Sequence, residues 1–147
     1  MKTMPVPDLP CLCANLRRAA RALTQIYEEA LRPAGLRGSQ FTILQTLSLA
    51  GELTQGQMAH LLAMDSTTLT RTLAIMQRQG WISRREGADR REWRIQMSKA
   101  GRAKFARALP QWEKAQALAR KTLGERRWDE AMKFSNDVTR AVAAQRS

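Results

Sequence analysis

The chain has 147 residues, and 25 lysines and arginines against 13 aspartates and glutamates give it a formal net charge of +12. With 44% hydrophobic residues it can bury one ordinary core, or those of two closely linked domains, which excludes a large multidomain enzyme. The excess of positive charge restricts the partners, and the longest uncharged run, 38–51, is shorter than the roughly 20 apolar residues of a transmembrane helix.

The amino terminus and the cysteines bear on location and on metal binding. Residues 1–7 lack the apolar core and small-residue cleavage site of a secretory signal, so we expect a cytoplasmic protein. Cys11 and Cys13 lie one residue apart, which is unlike the disulfide frameworks of secreted domains. Because His60 is the only histidine, Cys and His at typical spacings cannot supply four zinc ligands, and we expect no metal and no cofactor.

A long first helix is predicted from apolar residues that recur at three-and-four spacing over Leu9–Leu31. Asp8 is its candidate cap, Pro10 is tolerated in its first turn, and Pro33 with Gly35 ends it. A long helix with such a stripe needs a partner surface along much of its length.

The next part of the chain predicts a helix-turn-helix. A second helix starts after Ser39, and the run Thr54–Gln57 matches the S/T-x-x-E/Q capping box that begins a short third helix. A break follows, after which Asp65 or Ser66 can cap a fourth helix. Two short helices joined by a tight turn result.

After the fourth helix, at 81–86 and 92–97, the hydrophobic period changes to two, which predicts a β-hairpin around the basic turn 87–91. Ser98 can cap a fifth helix, in which Pro110 predicts a kink or a break, and a sixth helix completes the chain. We therefore expect a mainly α fold with a small β-hairpin (α+β).

Positive charge is concentrated between Ser66 and Arg102, where nine basic and three acidic residues give a local balance of +6. The fourth helix suits a major groove, because small hydroxyl side chains permit close approach and an arginine can pair with guanine. Arginines at the hairpin turn suit a narrow minor groove. The candidate DNA-binding residues are Ser66, Thr67, Thr68, Thr70, Arg71, Arg90 and Arg91. Asp89 could hold the shape of the turn by pairing with Arg71 or Arg91.

Four motifs in this order resemble the winged-helix core of the multiple-antibiotic-resistance regulator (MarR) family. They read D-S-T-T-L-T-R at 65–71, G-W-I-S-R at 80–84, D-R-R at 89–91 and M-S-K-A-G at 97–101. The chain departs from the family pattern by Met97 and Trp81, where leucine is usual.

The resemblance implies a dimeric transcription factor, normally a repressor, that binds a pseudo-palindromic operator and releases it when a small molecule or an oxidant acts. It places the winged helix-turn-helix core at 39–98 of a single chain, 1–147, and dimerisation helices at 8–33 and 99–146. It also implies that Thr68, Thr70 and Arg71 meet the major groove and Arg90 the minor groove.

Two kinds of switch are open. Cys11 and Cys13 are expected in the first turn of the first helix, where the helix dipole and Arg17 would favour the reactive thiolate; an inert buried cysteine is the plainer alternative. The other switch is a small aromatic or anionic effector, for which Arg17, Arg18, Arg21, Tyr27 and His60 could supply a pocket. These residues could equally be solvated or paired with carboxylates.

Other functions fit the sequence less well. An enzyme acting on nucleic acid would need clustered carboxylates or a nucleophile beside a base, whereas the acidic residues are scattered apart from Glu28 and Glu29. Membrane-surface binding would need a bulky apolar face beside the basic residues. A non-specific architectural DNA- or RNA-binding protein and a monomeric helical bundle remain the open alternatives.

Overall fold

The computed structural model of the protein describes Met4 and residues 6–145. Its elements in chain order are α1 (Leu12–Leu31), a short 3-10 helix (Arg32–Ala34), α2 (Gly38–Ala50), β1 (Leu53–Thr54), α3 (Gln55–Leu62), α4 (Ser66–Arg78), β2 (Ile82–Glu86), β3 (Trp93–Met97), α5 (Lys99–Leu123) and α6 (Glu125–Gln145). The mainly α prediction with a β-hairpin is confirmed. None of these helices is both long and apolar enough to cross a membrane.

The three strands form one antiparallel sheet in the order β1-β3-β2. In the hairpin, Ile82 pairs with Met97 and Glu86 with Trp93. On the other edge Leu53 pairs with Ile95, so the segment just before α3 is joined to the hairpin. The sequence analysis did not predict β1, because two residues are too few to show a period.

One hydrophobic core lies under the helix-turn-helix and the sheet. Its largest fully buried side chains include Phe41, Met58, Leu69 and Ile95. Phe41 also packs against aromatic rings of α5, with ring centroids 5.2 Å from Phe105 and 5.6 Å from Trp112. These aromatic contacts therefore fasten α5 to α2 and to the core under the helix-turn-helix.

Helices α3 and α5 begin at the capping residues that the sequence predicts. Thr54 accepts from the Gln57 amide at 3.0 Å and Gln57 Oε1 accepts from the Thr54 amide at 2.9 Å, which is the reciprocal capping box that the sequence predicts. Ser98 Oγ accepts from the Gly101 amide at 2.9 Å and caps α5 as predicted.

One expectation about the terminal helices is wrong, and of a second the structure excludes one part. Asp8 does not cap α1 and Pro10 is not in its first turn: the helix begins at Leu12, and Cys11 is its N-cap residue. Pro110 does not break α5, which is helical throughout Lys99–Leu123. Proline removes one backbone hydrogen bond, and the burial of Ala108 and Ala115 on either side of it offsets that loss. Arg146, where the second dimerisation segment was predicted to end, lies outside the described residues.

Candidate nucleic-acid interface

Helix α4 buries one face and exposes the other. Leu69, Leu73 and Met76 are fully buried at helical spacing. Its first two turns carry five exposed residues, here called the reading face: Ser66, Thr67, Thr68, Thr70 and Arg71. The fold therefore leaves all the candidate residues of this helix accessible.

The start of α4 is held by Asp65, one of the two predicted caps. Its carboxylate accepts from the backbone amide of Thr68 at 2.8 Å and from the Thr68 hydroxyl at 2.6 Å. These hydrogen bonds from Thr68 lower the pKa of Asp65. The carboxylate therefore stays ionised at the positive end of the helix dipole, and the first turn of α4 is kept rigid.

The hairpin formed by β2 and β3, here called the wing, ends in a turn closed by its own backbone. The Gly87 amide donates to the Glu92 carbonyl at 2.7 Å, and the Glu92 amide donates to the Asp89 carbonyl at 2.9 Å. Asp89 Oδ1 accepts from the backbone amide of Arg91 at 3.1 Å. Asp89 thus contacts Arg91 through the main chain rather than through an ion pair of side chains, and Arg90 and Arg91 lie exposed at the tip.

The arginines near the wing fall into two groups. Glu52 accepts from Arg85 at 2.6 Å and from Arg94 at 3.4 Å, and Arg84 donates to Gln55 at 2.9 Å. The hydrogen bond from Arg85, and then the one from Arg94, lower the pKa of Glu52. Within the part of the chain that the structure describes, the side chains of Arg71, Arg90 and Arg91 make no hydrogen bond or ion pair.

The arginines of the first group are engaged within the protein, and those of the second group remain available to a partner. The first group ties the wing to Glu52 and to Gln55 at the start of α3, while the arginines of the second group are exposed. Exposed, unpaired arginines carry the positive potential that attracts phosphates.

Sequence reasoning missed Glu52 and Gln55 as parts of this surface. Gln55 appears in the sequence only as an interior residue of a capping box, and Glu52 as an isolated acid. Their contacts with the wing depend on the pairing of β1 with β3, which no local pattern indicates.

The two cysteines lie at the start of α1, as expected, and both are exposed. Cys11 is the N-cap residue itself, and its Sγ accepts from the Ala14 amide at 3.5 Å. Within the single chain, therefore, neither thiol is buried.

The predicted effector residues are not brought together. Tyr27 is half-buried, donates its hydroxyl to Gln116 of α5, and has a raised pKa because of its burial. His60 is exposed and lines a cleft that does not include Tyr27, beside Val138 and Val142 of α6. Arg17 and Arg21 lie exposed on α1, and Arg17 is about 15 Å from Tyr27 along the helix axis, given a rise of about 1.5 Å per residue. Among the described residues, no group of three or more His, Cys, Asp or Glu could hold a metal ion.

The helix-turn-helix, the three-stranded sheet and the basic wing define a winged helix-turn-helix protein. A model of the MarR family matches residues 36–93. YwoH of Bacillus subtilis, an uncharacterised HTH-type transcriptional regulator, is 32% identical over 94 residues, which are 64% of this chain and 69% of that relative.

Solved structures agree with this class. The Mycobacterium tuberculosis transcriptional regulator MosR in complex with DNA is 37% identical, with a TM-score of 0.82 over 93% of this chain and 99% of that one. A mutant of Escherichia coli MarR complexed with operator DNA, 19% identical, shares the fold with a TM-score of 0.76 over 86% and 92% of the two chains. The chain belongs to the MarR family. It is a DNA-binding transcriptional regulator and not an enzyme.

Proposed function

We propose that the protein is a homodimeric repressor of a pseudo-palindromic operator, which it releases when a small molecule binds or when its cysteines are oxidised. The observation that carries the proposal is that Thr70 of the reading face and Arg91 of the wing line one cleft, together with Gln55 and Arg84. With the reading face in the major groove and with Arg90 and Arg91 in the minor groove, each protomer contacts one half-site.

Within the reading face, Arg71 is the candidate for direct base readout. Its guanidinium is exposed and has no partner among the described residues, so both of its parallel donors can reach O6 and N7 of guanine. Ser66 and Thr67 lie at the first helical positions, where free backbone amides favour phosphate. Asp89 supports the wing through its hydrogen bond to the Arg91 amide.

A dimer is supported by apolar side chains that the single chain leaves exposed on its terminal helices. They are Leu12 and Leu23 of α1, Leu118 of α5, and Met132, Phe134 and Val142 of α6. No residue of α6 is buried within the described range, although this helix has 21 residues. A second copy would cover these surfaces and would set the spacing of two half-sites.

The small-molecule branch is supported by a cleft of about 570 Å³ between α1, α2 and α5. Its lining includes Tyr27, Phe41 and Trp112, with Glu28 and Gln116 as polar groups. The volume is within the range of small-ligand sites, and the aromatic walls suit a flat apolar molecule. Because Glu28 would repel an anion, and Arg17 and Arg21 lie elsewhere, an aromatic effector is favoured over a strongly anionic one.

The oxidation branch is supported by the exposure of both thiols and by the capping role of Cys11. Oxidation by a peroxide would change the sulfur that accepts from the Ala14 amide, and it would disturb the start of α1. Cys11→Ser should keep DNA binding, because serine is itself a good N-cap residue, and it should abolish a peroxide response. A response that survives in the double variant Cys11→Ser, Cys13→Ser would remove the oxidation branch.

Fluorescence anisotropy tests the main proposal with DNA from the region upstream of the protein's own gene, against a scrambled duplex, at about 150 mM salt. We expect a preference of ~10³-fold or more and two protomers per site. Equal, salt-sensitive binding to this duplex, to the scrambled one and to RNA would instead favour a non-specific architectural protein. A cytoplasmic location stays a prediction.

A further inference from the structure

Gln55, the first residue of α3, links the wing to the reading face. Its Nε2 donates to Oγ1 of Thr70 at 2.8 Å, and its Oε1 accepts from Nη2 of Arg84 at 2.9 Å. Thr70 belongs to the reading face, and Arg84 belongs to β2. One side-chain amide therefore connects the two elements that are proposed to meet DNA.

Arg84 determines the direction of both hydrogen bonds. A guanidinium can only donate, so the Gln55 atom that faces it must be the oxygen, and the atom that faces Thr70 must be the NH2 group. Since this group also only donates, Oγ1 of Thr70 accepts, and its hydroxyl proton must turn elsewhere. Trp93 helps to hold Arg84, whose guanidinium carbon lies 5.0 Å from the ring centroid.

The hydroxyl proton of Thr70 has no acceptor among the residues that the structure describes. Other threonine hydroxyls are used inside the protein. Those that donate to the carbonyl oxygen four residues earlier are Thr24, Thr42, Thr46, Thr72, Thr122 and Thr139. On the reading face itself, Thr68 donates its hydroxyl to Asp65 and can offer only lone pairs to a partner. Thr70 is exposed and keeps its proton for a partner from outside.

We propose that Gln55 is a positioning residue for DNA recognition: held by Arg84, it makes Thr70 a hydrogen-bond donor to one base edge. The inference rests on the proposed placement of α4 in the major groove. There, purines present N7 as an acceptor, guanine adds O6, and thymine presents O4, whereas cytosine presents only its amino group. Thr70 therefore favours thymine or a purine over cytosine at the position it meets, because only these bases present an acceptor to its hydroxyl proton.

Gln55→Glu reverses this polarity with almost no change in shape. The carboxylate still accepts from Arg84, but it can only accept from Thr70, so the hydroxyl proton turns towards the protein. The lone pairs of Thr70 then face the DNA. At that single position we expect the affinity for cytosine, relative to thymine, to rise by roughly two- to twelvefold, which corresponds to one net hydrogen bond.

The assay uses the full chain and a consensus duplex that the wild type selects from a randomised library. Anisotropy is then measured on duplexes that carry each of the four bases at every position. Thr70→Val should lose discrimination at one position, and Gln55→Glu should change the preference at that same position. The double variant Gln55→Glu, Thr70→Val should match Thr70→Val at that position, because without the Thr70 hydroxyl there is no proton whose direction residue 55 can set.

Gln57→Glu is the charge-matched control. It adds the same charge to the first turn of α3 and keeps the acceptor of the capping box, so it should weaken binding to every duplex alike. Gln55→Met removes both polar atoms and leaves Thr70 free to donate or accept, so it should relax the preference without reversing it. This second variant keeps the test decisive if circular dichroism shows that Gln55→Glu does not fold.

Three results would overturn the inference. The order of base preferences could be unchanged in Gln55→Glu, it could change at a position that Thr70→Val does not affect, or Thr70→Val could lose equally on every duplex, as expected for a phosphate contact. If the wild type still selects a consensus in these cases, the proposed regulator stands and only the role of Gln55 fails. If the wild type selects no consensus, the proposed function itself fails, and this inference with it.

Discussion

Gly101 lies where helix α5 meets the wing, and replacing it with alanine should loosen that junction. A Cβ at this position would lie 1.9 Å from the carbonyl oxygen of Trp81 and 2.9 Å from Cγ of Met97. The Trp81 carbonyl cannot simply move away, because it accepts from the Ser98 amide at 3.0 Å. Ser98 in turn caps α5 through the Gly101 amide. The glycine is needed for space and not for an unusual backbone angle.

The cost of Gly101→Ala follows from these contacts. Overpacking against a backbone atom typically costs about 1–3 kcal/mol, and the strained hydrogen bond from Ser98 to Trp81 adds about 0.5–1.5 kcal/mol. Alanine recovers about 0.5–1 kcal/mol of helix propensity. We therefore expect a net loss of about 2 kcal/mol in the free energy of unfolding.

Gly56 supplies the matched control, because it too lies in the first turn of a helix. A Cβ there would have Thr54 Oγ1 as its nearest neighbour, at 3.9 Å, so there is room for it. Gly56→Ala should stabilise the protein by about 0.5–1 kcal/mol. The two variants are thus expected to move stability in opposite directions.

The assay is urea unfolding followed by circular dichroism, with every variant at the same protomer concentration, since dimerisation would make stability depend on concentration. If Gly101→Ala unfolds at the same urea concentration as the wild type, or above it, the close approach of α5 to Trp81 does not limit this junction. The steric argument would then be refuted.

The remaining predictions concern DNA binding, capping and pH. Arg71→Ala should cost roughly 1–3 kcal/mol of binding and relax discrimination at one base position, as measured on a panel of substituted operators; equal losses on every sequence would remove it from base readout. Arg90→Ala should weaken binding on all sequences alike and reduce the slope of log affinity against log salt by about 1, and an unchanged slope would count against a phosphate contact in the minor groove. Thr54→Ala removes the cap of α3 and should lower the free energy of unfolding by about 1 kcal/mol in urea; no loss would show that the cap is not needed. The pKa of Glu52 is lowered by Arg85, so its carboxylate stabilises the fold above the pKa that glutamate has when unfolded, and this stabilisation is lost as the pH falls through the folded pKa. The difference in unfolding midpoint between the wild type and Glu52→Gln should therefore shrink on acidification, and a difference that is constant with pH would contradict this linkage.

Local sequence determined the parts of this protein whose hydrogen bonds close within a few residues. The capping box of Thr54, the cap of α5 at Ser98 and the cap of α4 at Asp65 each join residues three apart, and such spacings can be found in a sequence. The two strands of the wing also show their period directly, and they pair as expected. For the same reason, the buried and exposed faces of α4 could be assigned before the fold was known.

Only the tertiary structure decided which of these local parts meet. Gln55 bonds to Thr70 across 15 residues and to Arg84 across 29, and Glu52 reaches Arg94 across 42. The tertiary structure also places His60 and Tyr27 in different clefts. Contacts over such distances depend on how the packed core positions whole elements, and a single sequence carries no local periodicity for them.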